Sequence, residues 1–232
     1  MKTIKTSIIP IEQTFINLKD QPHELDYKAI CVFSALGFFL DTDTYWKDKK
    51  VLSPASINKI DADGFLVSSE PWFEWHYKPK NRSLENVTNE FSDLFEKIVS
   101  EQCIDKKVIL PISGGLDSRS QAVALHKLGI EVNTYSYSFE NGYNEAGISK
   151  KIAKKCNFSF QEFTIPKNYL WDKIDELSAI NSCYSEFTHP RQMAVIDDVE
   201  KLGDVFSLGH WGDVLFDSEN LQQNYSDQDL IP

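Results

Sequence analysis

A chain of 232 residues suits one large domain or a small one joined to a medium one. Its 41% hydrophobic content, with fifteen Phe, supplies a sizeable core and excludes wholesale disorder. Asp and Glu number 35 against 24 Lys and Arg, a net charge of −11 that repels nucleic-acid phosphates and argues against a tRNA substrate. Cys31, Cys103, Cys156 and Cys183 form no CxxC pair or Cys/His ligand spacing, so neither a zinc site nor a disulfide framework is suggested. The N-terminus has no apolar signal core, and the longest apolar run, residues 29–40, is too short to span a bilayer. A cytoplasmic location with no membrane partner is the expectation.

Residues 1 to about 80 read as short strands and turns. Ile8–Ile11 and Thr14–Ile16 are apolar fragments around Pro10, and residues 29–40 fit a buried helix or a strand, with Cys31 in its core. Asp61-Ala-Asp-Gly64 signals a turn before Phe65-Leu-Val67, and Trp72, Phe73, Trp75 and Tyr77 form an aromatic cluster of the kind that packs an interface. Lys78–Arg82 is a polar junction. Ser83 then offers an N-cap to a helix whose apolar face, Leu84, Val87, Phe91, Leu94, Phe95, Ile98 and Val99, should pack on a sheet.

The run Val108–Ile112 reads as a buried parallel strand, entering Ser113-Gly-Gly-Leu-Asp-Ser118 and then a helix from Arg119 to Leu128. Strand, glycine turn and helix together cradle phosphate: glycine lets the backbone approach an anion, and the first N–H groups of the helix point at it. Ser113 and Ser118 add hydroxyls. A carboxylate, Asp117, makes sense beside phosphate when Mg²⁺ lies between them. The loop is too short for a Walker motif and lacks its lysine. Ala122, Val123, Leu125 and Leu128 would be the helix's buried side, capped by Gly129.

Strands follow at residues 130–137, 158–165 and 205–208. Between them come helices capped by Asn144 (with Ile148, Ile152, Ala153 and Cys156 inward), over 169–180 and over 191–202. This alternation predicts an α/β fold, a parallel sheet with helices on both faces, Rossmann-like, preceded by a small β-rich region: 1–82 and then 83–232. Ligands in such sheets sit beyond the carboxyl ends of the strands, where both 113–118 and 209–213 fall. Arg119 could meet a phosphate or face solvent. His126 and His189 read as structural, and Lys150, Lys151, Lys154 and Lys155 as a solvated helix side.

The six residues Ser113–Ser118 resemble the SGGxDS signature of the PP-loop ATP pyrophosphatases, which split ATP into AMP and pyrophosphate. Gly209-His-Trp-Gly-Asp-Val-Leu-Phe216 resembles the G-E-G-x-D-E-L-F segment of asparagine synthetases. Thr134–Phe139 resembles their T-F-S-I-G-F strand end, and Asn144-Glu145 with the helix after it their D-E-x-x-x-A helix. Upstream, Ala35–Phe39, Val51–Pro54 and Asp61–Phe65 resemble the connection that ends that family's glutaminase half.

Carried over by position, the resemblance implies that Ser113, Gly114, Gly115, Leu116, Asp117 and Ser118 hold the pyrophosphate portion of ATP, with Gly209 lining the site. Main-chain groups near Leu110 and Tyr137 contact adenine, and Asp117 and Asp213 hold Mg²⁺. The implied reaction is carboxylate adenylation followed by amide formation, with aspartate or a related acid and ammonia or an amine donor as partners. The chain begins Met1-Lys2 rather than with a nucleophilic cysteine, so no intrinsic glutaminase is expected. His210 stands where the family has its G-E-G glutamate, as a base or a structural histidine, and Val214 where it has the glutamate after the aspartate. The chain stops 19 residues after Asp213 (232 − 213), whereas the family continues with helices that build the acceptor site. The expectation is a C-terminal truncation, with a homodimer or a separate partner completing that site. A non-catalytic nucleotide-binding module and a tRNA-modifying PP-loop enzyme are the alternative readings.

Overall fold

The computed structural model describes residues 1–6, 13–74, 76, 78–142, 146–182, 184 and 190–209. Expectations for Ile8–Ile11, Trp75, Tyr77, Asn144, Glu145, Cys183, His189, His210, Asp213 and Val214 lie outside these residues. The chain divides into two units, Met1–Asn81 with Asn168–Arg191, and Arg82–Lys167 with Gln192–Pro232.

In the first unit, β1 (Lys2–Lys5), β4 (Ser56–Ile60) and β5 (Leu66–Pro71) form an antiparallel sheet in the order β1-β4-β5. β2 (Phe15–Asn17) pairs antiparallel with β3 (Lys49–Val51). Asp61 makes the expected turn, its Oδ1 accepting the Asp63 and Phe65 N–H groups, and Gly64 takes φ +91°. Residues 29–40 do not form one buried element. Helix α1 (Tyr27–Leu36), capped by Asp26, buries Ala29 alone, and Gly37 ends it at φ +80°. Phe33 sits one turn after Ala29 and packs on Phe39 and Tyr45. Cys31 lies on the opposite face and is exposed, not in a core, because only one face of the helix has anything to pack against. Trp72 and Phe73 are about half exposed, and Lys5 Nζ lies 4.5 Å over the Trp72 ring. Helix α5 (Tyr169–Asn181) returns to this unit. Just beyond it, Tyr184 meets Phe15 edge-on at 5.6 Å and stacks on Phe39 at 5.5 Å.

The second unit is the expected parallel sheet. β6 (Val108–Pro111), β7 (Val132–Phe139), β8 (Ser159–Ile165) and β9 (Val205–Phe206) lie in the order β8-β7-β6-β9, all parallel. Side chains alternate across β6. Val108, Leu110 and Ile112 join a core made with α2 (Leu84–Cys103), α3 (Leu116–Lys127) and α4 (Ala146–Lys155). Ile109 points the other way, to Tyr135, Val199 and Leu202. Helical segments therefore cover both faces, and each fully buried aliphatic side chain here contributes about 2–3 kcal/mol of transfer free energy. No described helix is long and apolar enough to cross a membrane.

Four helical segments differ from the sequence expectation. Of the apolar face of α2 only Val99 is buried and Phe95 partly so, with Cys103 beside them, while Leu84, Val87, Phe91, Leu94 and Ile98 are exposed, because the sheet meets only one side of that stripe. In α3, Ser118, Ala122 and Leu125 share the inward stripe, so Val123, one residue further round, is 59% exposed and Leu128 is also exposed. In α4 the inward stripe is Ala146, Ser149 and Ala153, at three- and four-residue spacing, which turns Ile148 outward. Residues 191–202 are not one helix: a 3₁₀ turn (Arg191–Val195), one α-turn (α6, Ile196–Val199) and a second 3₁₀ turn (Glu200–Leu202) follow one another, with Val195 at φ −129° breaking the run. Elsewhere the local signals hold. Ser83 Oγ accepts the Asn86 N–H at 3.2 Å. Gly129, at φ +67°, closes α3 with the Gly129 N–H bonded to His126 O and the Ile130 N–H bonded to Leu125 O.

Tyr135 is 1% exposed and meets Phe163 edge-on. Burial, with Tyr137 alongside, pushes its phenol from 10 up to about 12. The folded state thus holds this proton more tightly than the unfolded chain. The stability involved is fully present below pH 10 and is lost as pH rises towards 12. Alkaline unfolding curves should show the wild type losing about 2–3 kcal/mol across that window relative to Tyr135→Phe. Parallel curves for the two proteins would contradict the assignment.

Candidate functional site

The strand order places the site. From β6 the chain winds through β7 to β8 on one side, then returns to lay β9 on the other side of β6. That reversal makes the carboxyl ends of β6 and β9 a topological switch point, the place where open α/β sheets bind their ligands. Residues 113–118 leave β6 there, and Gly209 follows β9. A Cβ built on Gly209 would stand 2.8 Å from Asp117 Cβ and 3.1 Å from the Asp117 carbonyl carbon. The two glycine-bearing segments, 91 residues apart in sequence (209 − 118), are therefore in contact.

The loop is held from inside. Ser118, 8% exposed, accepts the Ser113 N–H at 3.3 Å and donates to Gly115 O at 3.2 Å, while Ser113 Oγ accepts the Gly115 N–H at 3.3 Å. The two hydroxyls lie 3.4 Å apart. The serines thus shape the turn. The donors left over are the opening N–H groups of α3, which have no carbonyl one turn earlier. Gly115 caps this helix with no side-chain hydrogen bond among the described residues. Gly114 takes φ +84°, and a Cβ on it would stand 2.9 Å from Ile148 Cγ2. A side chain would be strained in this backbone conformation and crowded against α4.

Asp117 is an exposed residue in the first turn of α3. Among the described residues it makes no salt bridge, and no three His, Cys, Asp or Glu side chains converge to hold a metal. Leu116 is 73% exposed. Arg119 is exposed and donates from Nε to Gly115 O at 3.3 Å, which keeps its guanidinium beside the loop. The Leu110 side chain is fully buried in the core, leaving only its main chain towards the strand edge, and Tyr137 packs on the opposite face of the sheet. His126 meets Phe158 edge-on, away from the loop, and the four lysines of α4 are exposed.

Two residues that the sequence reading did not single out tie the site together. Gln121, one turn after Asp117, accepts the Ser207 hydroxyl at 2.7 Å through Oε1, and its Nε2 lies 3.5 Å from Leu208 O. It pins the end of β9 to α3 beside the Asp117–Gly209 contact. Ser149, fully buried, donates to Ile112 O at 2.8 Å and fixes the last residue before the loop. Neither sits in a recognisable motif; both act through pairings that only the fold creates. Ser149→Ala leaves that buried carbonyl without its donor and should cost about 1–3 kcal/mol. Thermal unfolding would register the loss, together with weakened nucleotide binding, whereas an unchanged midpoint would show that the bond does not hold the loop.

A hollow of about 450 Å³ opens at the opposite end of the sheet, lined by His126, Asn133, Cys156 and Ser159 among others. It lies at the amino ends of β7 and β8, whereas the N–H donors and Asp117 lie at the carboxyl ends, so the loop and not the hollow is the candidate site.

The asparagine synthase family model matches residues 90–196, the stretch holding the loop and most of the parallel sheet. The resemblance read from the motifs is thereby shown over that stretch. No curated protein matches the chain. Among solved structures, the chain is similar to NMN synthetase from Francisella tularensis, at 16% identity over 51% of this chain and 52% of that one, with a TM-score of 0.36. It is also similar to NH3-dependent NAD synthetase from Campylobacter jejuni (14% identity, 58% and 60% covered, TM-score 0.35). A third is glutamine-dependent NAD+ synthetase from Acinetobacter baumannii in complex with ADP (16%, 74% and 33%, TM-score 0.37). The chain spans about half the length of the first of these proteins. At TM-scores this low, none of these likenesses bears on the chemistry.

Proposed function

We propose that this chain supplies the ATP-binding and adenylating part of an asparagine synthetase-like ligase. It would activate a carboxylate, aspartate or a related acid, by attack on the α-phosphorus of ATP. Pyrophosphate leaves, and ammonia or an amine then displaces AMP to form the amide. The observation that carries this reading is the meeting of Ser113–Ser118 with Gly209 at the β6/β9 switch point, with Asp117 in the first turn of α3. The family match over residues 90–196 supports it.

Each part of the site then has a task. The opening amides of α3 and the close backbone approach allowed by Gly114 and Gly115 receive the pyrophosphate oxygens, where negative charge grows as it departs. Leu116 is exposed at the lip, and Arg119 is placed to meet an outer phosphate oxygen. Main-chain groups of Leu110 and Tyr137 face the base. An exposed carboxylate that makes no salt bridge among the described residues suits a hard cation that takes oxygen ligands, so Asp117 fits one end of a Mg²⁺ site, with Asp213 as the other. Bound there, Mg²⁺ would neutralise the leaving group. His210 is the group proposed to take the proton of the attacking amine, a role open to an imidazole.

The test is product analysis of purified protein with ATP, Mg²⁺, ammonium and aspartate. Acid-dependent formation of AMP and pyrophosphate is the expected result. Mg²⁺-ATP binding with no turnover on any acid would reduce the chain to a nucleotide-binding module, and no binding would remove the site assignment.

A further inference from the structure

Among the described residues eight Ser and Thr side chains are buried, and seven of them hydrogen-bond within the chain. Ser136 on β7 is the exception: it is 8% exposed, and its hydroxyl bonds no described group. An unpaired buried hydroxyl is costly, so one kept in a fold calls for a use. Among the described residues the one fully sealed side-chain polar atom without a partner is Asn58 Oδ1, in the other unit, so the Ser136 oxygen keeps an opening. Side chains alternate along β7. Tyr135 and Tyr137 pack on the Val199 side of the sheet, so Thr134, Ser136 and Ser138 share the face of Val132, on the side of α3 and α4. The Ile112 N–H bonds Tyr135 O at 2.8 Å, which sets Ser136 beside the last residue before the Ser113–Ser118 loop. Ser138 lies two residues nearer the carboxyl rim. It is half-buried, and its hydroxyl also bonds no described group.

We infer that Ser136 and Ser138 recognise the sugar of the nucleotide, bonding its 2′- and 3′-hydroxyls; the inference rests on the nucleotide reading of the loop. The groups at this edge divide by what they offer. The opening amides of α3 and the guanidinium of Arg119 only donate, which suits phosphate oxygens. A serine hydroxyl both donates and accepts, which suits another hydroxyl. Position agrees with chemistry. The two serines flank Tyr137, whose main chain is assigned to the base, on the strand beside the loop assigned to the phosphates. The sugar joins those two parts of the ligand. This pair also sets specificity. A buried hydroxyl that gains its partner only from the ligand is left unpaired by an analogue lacking that group, so the site discriminates against the analogue.

Calorimetry of the full chain with Mg²⁺ tests it, using ATP, 2′-deoxy-ATP and 3′-deoxy-ATP, with pyrophosphate as the probe that has no sugar. Wild type should bind ATP about tenfold more tightly than either deoxy analogue. Ser136→Ala and Ser138→Ala should each lower ATP affinity about tenfold, abolish the discrimination against one analogue and leave pyrophosphate affinity unchanged. The Ser136 hydroxyl bonds no described group, so Ser136→Ala should not lower the thermal midpoint of the nucleotide-free protein. Equal affinity for ATP and both analogues, serine variants that weaken pyrophosphate as much as ATP, or a lower midpoint for Ser136→Ala would each overturn the sugar assignment and leave the loop as a nucleotide site. Binding of neither ATP nor pyrophosphate by the wild type would overturn the loop reading and this inference with it.

Discussion

On the proposed function, Asp117→Asn should lower formation of AMP and pyrophosphate by about 10²–10³-fold, the usual effect of losing a group that neutralises a developing charge, here the Mg²⁺ that Asp117 would hold. Stability should hardly move. The side chain is exposed and, among the described residues, makes no salt bridge. It gives up only its attraction to the helix N-terminus, about 0.3–1 kcal/mol. The substitution keeps size and shape, so the Gly209 contact survives and only the charge is lost. Steady-state pyrophosphate release and a thermal scan on the same preparation separate the two effects. A variant that retains full turnover would take Asp117 out of the chemistry, and a variant that unfolds would make it a structural residue.

Gly114→Ala should disable the loop by another route. At φ +84° an L side chain costs about 1–2 kcal/mol, and the new Cβ meets Ile148 Cγ2 at 2.9 Å. Ile148 is 59% exposed, so its side chain can yield, whereas the backbone angle cannot. The combined variant Gly114→Ala/Ile148→Ala isolates the terms. It should recover the crowding term and leave the conformational one, with nucleotide affinity remaining about tenfold below wild type. Calorimetric binding of ATP with Mg²⁺ to the wild type and the two variants reads this directly. Complete recovery in the double variant would show that crowding alone, and not the left-handed backbone, requires glycine here.

Much of the site was legible before the fold because it is local. Ser113–Ser118 carries its own geometry: glycine permits the turn, and Ser113 and Ser118 close it through bonds spanning at most five residues. The Ser83 cap and the Gly129 closure were legible for the same reason, since a cap depends on neighbours three or four residues away. Strand alternation with helices was enough to predict a parallel sheet, because short connections leave few topologies. Gln121 and Ser149 were not legible. A glutamine one turn into a helix and a serine on an amphipathic face acquire roles only when Ser207 and Ile112 arrive beside them from far along the chain.

The amino-acid sequence by itself determined the glycine turn after β6, the helices with strong end signals and the α/β class, all of which rest on interactions within a few residues. Only the tertiary structure decided which side of an apolar helix is covered. Cys31, Val123, Ile148 and the Leu84–Ile98 stripe all read as buried, yet each is exposed. Periodicity records that a face is apolar and cannot record what lies opposite it. The tertiary structure likewise decided that β9 returns beside β6 and sets Gly209 against Asp117, because a pairing across the sheet depends on strand order, which no local pattern encodes.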